Sequence, residues 1–134
     1  MFSMIPLFAV LLVVYNVNML FGDIGASLNA NLYQMNLASG AVWSFSLSDL
    51  YIILGVLALY IEVFKSTRTG TASVIDHSLS MLVFVVFLIE FLTVQACGTS
   101  TFFILMLMSL LDVIAGFTVS IVAARRDFSL HDAE

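Results

Sequence analysis

Charge is what this sequence has least of. Asp, Glu, Lys and Arg make up 10% of 134 residues, whereas soluble globular domains carry roughly a quarter. With 62% hydrophobic residues and a mean hydropathy of +1.14, the chain reads as one compact integral membrane unit. Positive charge is scarcest: Lys65, Arg68, Arg125 and Arg126 are the four basic residues, which leaves no footprint for nucleic acid. Cys97 is the single cysteine, so an intramolecular disulfide and a thiolate metal cluster are both excluded. The chain has no glycine-rich phosphate loop and no HExxH helix, which removes the common nucleotide and zinc readings. His77 and His131 lie outside the apolar centres, so no haem can be held by two histidines within spans. The expectation is therefore no cofactor, no metal and no nucleotide.

What is present is long apolar sequence. Four segments reach the length needed to cross a hydrocarbon core of about 30 Å: about 4–21, 49–65, 74–96 and 101–124. The fold class expected is an all-α membrane protein of four transmembrane helices, with a short extracytoplasmic β-hairpin between helices 1 and 2 and a short, polar, mobile tail over 125–134. The first segment has Pro6 in its first turn, where a missing N–H costs nothing. No Lys or Arg precedes Ile5 and no small-residue cleavage site follows Phe21, so this segment reads as a retained helix.

Between the first two segments the hydrophobic period changes to two. Tyr33, Met35 and Leu37 alternate with Gln34 and Asn36; after Ala38-Ser39-Gly40-Ala41, the residues Trp43, Phe45 and Leu47 alternate with serines. This is a hairpin signature over about 32–48. Pairing Leu37 with Trp43, Met35 with Phe45 and Tyr33 with Leu47 gives one apolar face. A lone hairpin is marginal in water, so that face is expected on the helix ends, at the lipid interface or against a partner.

The later segments carry polar stripes. In the second, Tyr51, Gly55, Ala58, Glu62 and Lys65 share a face, with Ser46 and Ser48 as capping candidates. Small residues on one face suit close helix packing in lipid, and Glu62 is expected to pair locally with Lys65. The third segment opens with Ser73-x-x-Asp76, the spacing of a capping box, and His77 beside it is expected at a water-exposed helix start. Asp76, Ser80, Val83, Phe87 and Glu90 form its stripe. In the fourth, Thr99 to Thr101 are available as caps, and Asp112, Gly116, Ser120 and Ala124 line a groove that another helix should cross.

Glu90 and Asp112 are the acids inside hydrocarbon, where a carboxyl is costly and needs a partner. Counting about 1.5 Å per residue from Asp76 and from Arg125 places them about 21 Å and 20 Å deep, at one level where they could share a proton. As a protonated pair, or as single carboxyls bonded to Ser109, Thr93 or backbone, they could instead hold helices together. A proton path built on them runs through Glu62 to one side and through Asp49, Gln95 and Asn16 to the other. Asn16 and Asn18 are otherwise interhelical hydrogen-bonding groups. A Ser–His–Asp or Cys–His set cannot be assembled at one depth, because Cys97 and the histidines fall on opposite sides. The chain is therefore expected not to be an enzyme.

Lys65 and Arg68 follow the second segment, and Arg125 and Arg126 follow the fourth. The positive-inside rule then puts both termini in the cytoplasm and the hairpin and Cys97 turn on the far side. The Ser39-Gly40-Ala41-Val42-Trp43 turn, Lys65-x-x-Arg68-x-Gly70, Asp76-His77-Ser78-Leu79-Ser80-Met81, Thr99-Ser100-Thr101-Phe102-Phe103 and Asp112-Val113-Ile114-Ala115-Gly116-Phe117 together resemble the small, uncharacterised four-helix inner-membrane proteins of proteobacteria. That resemblance implies a multi-pass protein of the bacterial inner membrane and no assigned activity. Small multidrug transporters are similar in size only, since their essential acid lies in the first span. Two roles remain in view: an accessory subunit packed against other integral membrane subunits, and proton or cation conduction through Glu90 and Asp112.

Overall fold

The computed structural model describes residues 5–68 and 70–133. Met4, the expected start of the first span, and Glu134, the end of the expected tail, lie outside them. Helix α1 spans Leu7–Phe21, a short helix α2 spans Ile24–Leu28, and strands β1 (Asn31–Asn36) and β2 (Val42–Ser46) follow. Helices α3 (Leu47–Ser66), α4 (Thr71–Thr93) and α5 (Ser100–His131) complete the order, with a 3-10 turn at Gln95–Cys97. Three helices, α3, α4 and α5, are long and apolar enough to cross a membrane. At 15 residues, α1 reaches about 23 Å, short of a full hydrocarbon core.

Side-chain contacts fix how the helices run. Ser48 Oγ lies 2.6 Å from Thr101 Oγ1, so α3 and α5 start together and run the same way. Asn16 of α1 donates to Glu90 of α4, while Leu7 N–H at the start of α1 donates to Glu62 near the end of α3. Thus α1 and α4 run opposite to α3 and α5, in the cyclic order α1, α3, α5, α4. Lys65, Ile5 and the Arg125-Arg126 pair share one end; the hairpin and the Cys97 turn are at the other. We call these the basic end and the far end.

The core is aromatic. Tyr15, Tyr51, Phe87 and Phe102, one from each of these four helices, are at most 2% exposed. Ring centroids stand 5.5 Å apart for Tyr51–Tyr15, 4.9 Å for Tyr15–Phe102 and 5.2 Å for Phe102–Phe87. The far end is tied by Tyr15, whose hydroxyl sits 2.7 Å from Thr99 Oγ1, while the same Thr99 oxygen caps α5 by accepting from Phe102 N–H. The small-residue stripe of α3 is an interface: a Cβ on Gly55 would stand 2.8 Å from Leu105 Cδ2 and 2.7 Å from Met108 Sδ.

Several boundaries differ from expectation for local reasons. Ser46 and Asp49 form a reciprocal capping box, so α3 starts at Leu47 and the hairpin gives up its last two expected residues. Tyr33 pairs with Phe45 and Met35 with Trp43, two residues off the expected register. The turn causes this: Gly40 N–H donates to Leu37 O and Leu37 N–H to Ala41 O. With Gly40 at φ 83°, this is a three-residue loop closed by a left-handed glycine, which removes Leu37 from cross-strand pairing with Trp43. A two-residue slip preserves which face each side chain occupies. Helix α4 starts at Thr71 with Gly70 as its cap, so Ser73 is already helical and forms no capping box. Helix α5 continues to His131, because no glycine or proline interrupts Phe117 to His131; the expected mobile tail is largely its last turns.

Candidate functional site

The polar side chains of three helices meet near the basic end. Glu62 is 2% exposed; its carboxylate accepts from Leu7 N–H at 2.6 Å and from Lys65 Nζ at 3.0 Å and 3.2 Å. The expected local pair therefore forms, and it does more than expected. Lys65 Nζ also stands 3.5 Å from Asp76 Oδ1 across the bundle and donates to Ile5 O at 3.3 Å. Asp112, 4% exposed, faces Ser80 with Glu62, Asp76 and Lys65 as its charged neighbours. Three oxygens here lack any hydrogen-bond partner: Asp76 Oδ1, Asp112 Oδ2 and Ser109 Oγ.

Glu90 belongs elsewhere. Its Oε2 accepts from Asn16 Nδ2 at 2.9 Å and lies 3.9 Å from Cys97 Sγ. The expected common depth of Glu90 and Asp112 is not what the helix register gives. Phe91 packs on Phe103, so Glu90 is level with the first turn of α5, and Asp112 lies nine residues beyond Phe103, about 14 Å along the axis. Measuring depth from Asp76 and Arg125 fails because α5 overhangs the start of α4 by about two and a half turns. Phe87 of α4 and Leu105 of α5, both fully buried, lie between the two acids, and Phe102 packs on Phe87 at the level of Glu90.

The remaining proposed path residues are dispersed. Asp49 is engaged in the cap of α3, accepting from Ser46 N–H at 2.9 Å. Gln95 is exposed on the 3-10 turn. Asn16 bridges α1 and α4, and Asn18 donates to the Tyr51 hydroxyl, so both asparagines join helices. Cys97 is fully buried; burial first, then the nearby Glu90 carboxylate, pushes its thiol up to about 11.

His77 departs most from its expected place. It is 5% exposed, and Gly116 admits it: a Cβ there would stand 2.6 Å from Nδ1 and 2.8 Å from Cε1. Its Nε2 sits 2.7 Å from Ser120 Oγ and 3.1 Å from Ser73 Oγ. The groove of Gly116 and Ser120 is thus crossed by α4, as its spacing suggested, with an imidazole as the crossing group. A serine and a histidine meet here at one depth. The triad pattern is still incomplete, since the other ring nitrogen faces Gly116 rather than a carboxylate. Beside it opens a cavity of about 300 Å³ lined by Arg68, Ser73, His77, Phe117 and Ser120. No family model, no curated protein and no solved structure matches this chain.

The hairpin face stands uncovered. Tyr33, Met35, Leu37 and Trp43 are 58%, 40%, 40% and 45% exposed; only Phe45 and Leu47, at its base, are half-buried. The expected packing on the helix ends is confined to that base, where Leu47 N–H donates to Ala30 O.

The sequence stripes of α3 and α4 already held Glu62, Lys65 and Asp76, but their meeting was not visible. Three-residue spacing paired Glu62 with Lys65; nothing local could assign Asp76 to the same ammonium. Ser109, one turn from Asp112 and expected from the sequence to bond a buried carboxyl, makes no hydrogen bond.

Proposed function

We propose that this chain is a small accessory subunit of a larger membrane complex, embedded by four passes in a bacterial inner membrane with both termini in the cytoplasm. The observation that carries this reading is the hairpin: four large apolar side chains on one projecting face stay exposed among the described residues. Such a patch in a region outside the spans fits a protein partner. The short α1 is the fourth pass in this reading, since it lies in the bundle between α3 and α4, and flanking side chains or local thinning of the bilayer accommodate its length. The two basic clusters at one end support the cytoplasmic assignment of that end. The partner is an integral membrane protein with a surface on the far side. Conduction by a shared Glu90–Asp112 pair has less support, because the helix register holds the two carboxyls about 14 Å apart along the axis.

The test is gentle solubilisation of tagged protein from native membranes, followed by size separation. The chain should travel with a larger complex, and a Tyr33→Ser/Trp43→Ser variant should insert normally yet travel alone. Trp43, the single tryptophan, should be shielded from an aqueous quencher in native membranes and open to it after purification. A lone wild-type monomer whose Trp43 is equally quenched in both settings would overturn the proposal.

A further inference from the structure

Three buried carboxyl groups, Glu62, Asp76 and Asp112, share one neighbourhood with a single ammonium, Lys65, which pairs with the first two. Among the described residues no other basic side chain forms an ion pair with them. Were all three ionised, two negative charges would stand uncompensated in a site whose members are each at most 8% exposed apart from Lys65. Uncompensated charge at such depth is costly, and the usual relief is neutralisation. Glu62 is the satisfied member, with Lys65 and a backbone N–H on it. The relief falls on the Asp76–Asp112 side of the cluster: Asp112 Oδ2 has no hydrogen-bond partner, and Asp76 Oδ1 has only the Lys65 ammonium 3.5 Å away. Ser109, 1% exposed and on the same face one turn before Asp112, adds a further unpartnered oxygen. Among the described residues no three His, Cys, Asp or Glu side chains stand close enough to hold a metal ion, so the positive charge that fits is the smallest one.

We propose that the Asp76–Asp112 region of this cluster is a proton-binding site that exchanges only with the basic end of the bundle. The exchange forms and breaks one O–H bond: water at the basic end supplies the proton and takes it back. Access follows from Lys65 and Asp76, whose side chains are 12% and 11% exposed at that end, while Phe87 and Leu105, with Phe102 packed on Phe87, shut the other direction. The groups facing the site are Glu62 and Lys65 from α3, Asp76 and the neighbouring His77 from α4, and the backbone N–H of Leu7 from α1, a helix without a charged side chain. Because the carboxyls are coupled, the proton belongs to the cluster and not to one residue. The inference is independent of the hairpin and of any partner.

Infrared spectra of the full chain, reconstituted in phosphatidylcholine vesicles and titrated from mildly acidic to alkaline pH, test it. A protonated-carboxyl C=O band should be present at neutral pH and bleach on alkalinisation. It should be lost in Asp112→Asn or in Asp76→Asn, and be retained in Glu90→Gln. Lys65→Met should move the bleaching to higher pH by about one unit or more, since a nearby cation favours the ionised acid. With the basic end oriented inward, alkalinising only the outer solution should leave the band intact. The proposal is overturned if no such band exists at neutral pH in well-folded wild type, if Glu90→Gln removes it, or if sodium at constant pH bleaches it. Bleaching from either side of the vesicle would equally refute one-sided exchange.

Discussion

Replacing Gly116 by alanine adds one methyl group at the place where α4 and α5 approach through His77. That methyl would stand 2.6 Å from His77 Nδ1 and 2.8 Å from Cε1, so the ring has to retreat by most of an ångström to reach ordinary contact. It has little freedom to do so. Its Nε2 is 2.7 Å from Ser120 Oγ and 3.1 Å from Ser73 Oγ, and its face lies against Phe117 with centroids 5.6 Å apart. Overpacking of this kind costs about 1–3 kcal/mol, and loss of the histidine bonds would add about 1 kcal/mol each. We expect Gly116→Ala to lower the unfolding free energy, measured by reversible denaturation in mixed micelles, by about 1–3 kcal/mol, and by about 1 kcal/mol more for each histidine bond lost. In the His77→Ala background the added methyl has room, so the same substitution should there cost almost nothing. The double-mutant cycle should therefore show a coupling of at least about 1 kcal/mol. If Gly116→Ala is as stable as wild type, or costs the same with and without the imidazole, the α4–α5 register described above is wrong. So would be the separation of Glu90 from Asp112 that follows from it.

Removing the amide of Asn16 by Asn16→Leu takes away the hydrogen-bond donor of Glu90 Oε2. A lost bond to a charged group costs about 1.5–3 kcal/mol, and adding Glu90→Leu should recover much of it; unfolding of the single and double variants measures both. The Cys97 thiol should resist maleimide in the folded protein and react at once after denaturation. Beyond steric cover, a value of about 11 against an ordinary 9.0 leaves about a hundredfold fewer thiolates at neutral pH. Because the folded value lies above the unfolded one, this group favours folding at neutral pH no more than any neutral thiol. Its proton instead makes stability fall as pH rises from the ordinary cysteine range toward 11. Rapid labelling of native protein at neutral pH would contradict both its burial and its raised value.

The amino-acid sequence by itself determined the apolar helices, three of them long enough to cross a membrane, and the relative direction of segments two and four. Twenty-residue apolar runs in a chain with this little charge can satisfy their backbone only as helices in lipid, and the lysine and arginine positions put segments two and four in parallel. Side-chain period did the same for the hairpin, where alternation fixed the shared face of Tyr33, Met35, Trp43 and Phe45. Each of these is a local property, readable within a turn or a strand. Register between elements is not local. Whether Glu90 or Ser80 stands level with Asp112 depends on how far α5 overhangs α4, and that is settled by Phe91 on Phe103 and by the fit of His77 against Gly116. The same holds for Lys65, whose partner three residues away was legible and whose partner across the bundle was not. Only the packed bundle brought three carboxyls into one neighbourhood with a single ammonium, because the energy that sets helix register in lipid comes from side-chain fit summed over whole interfaces, of which no single stretch of sequence holds more than one side.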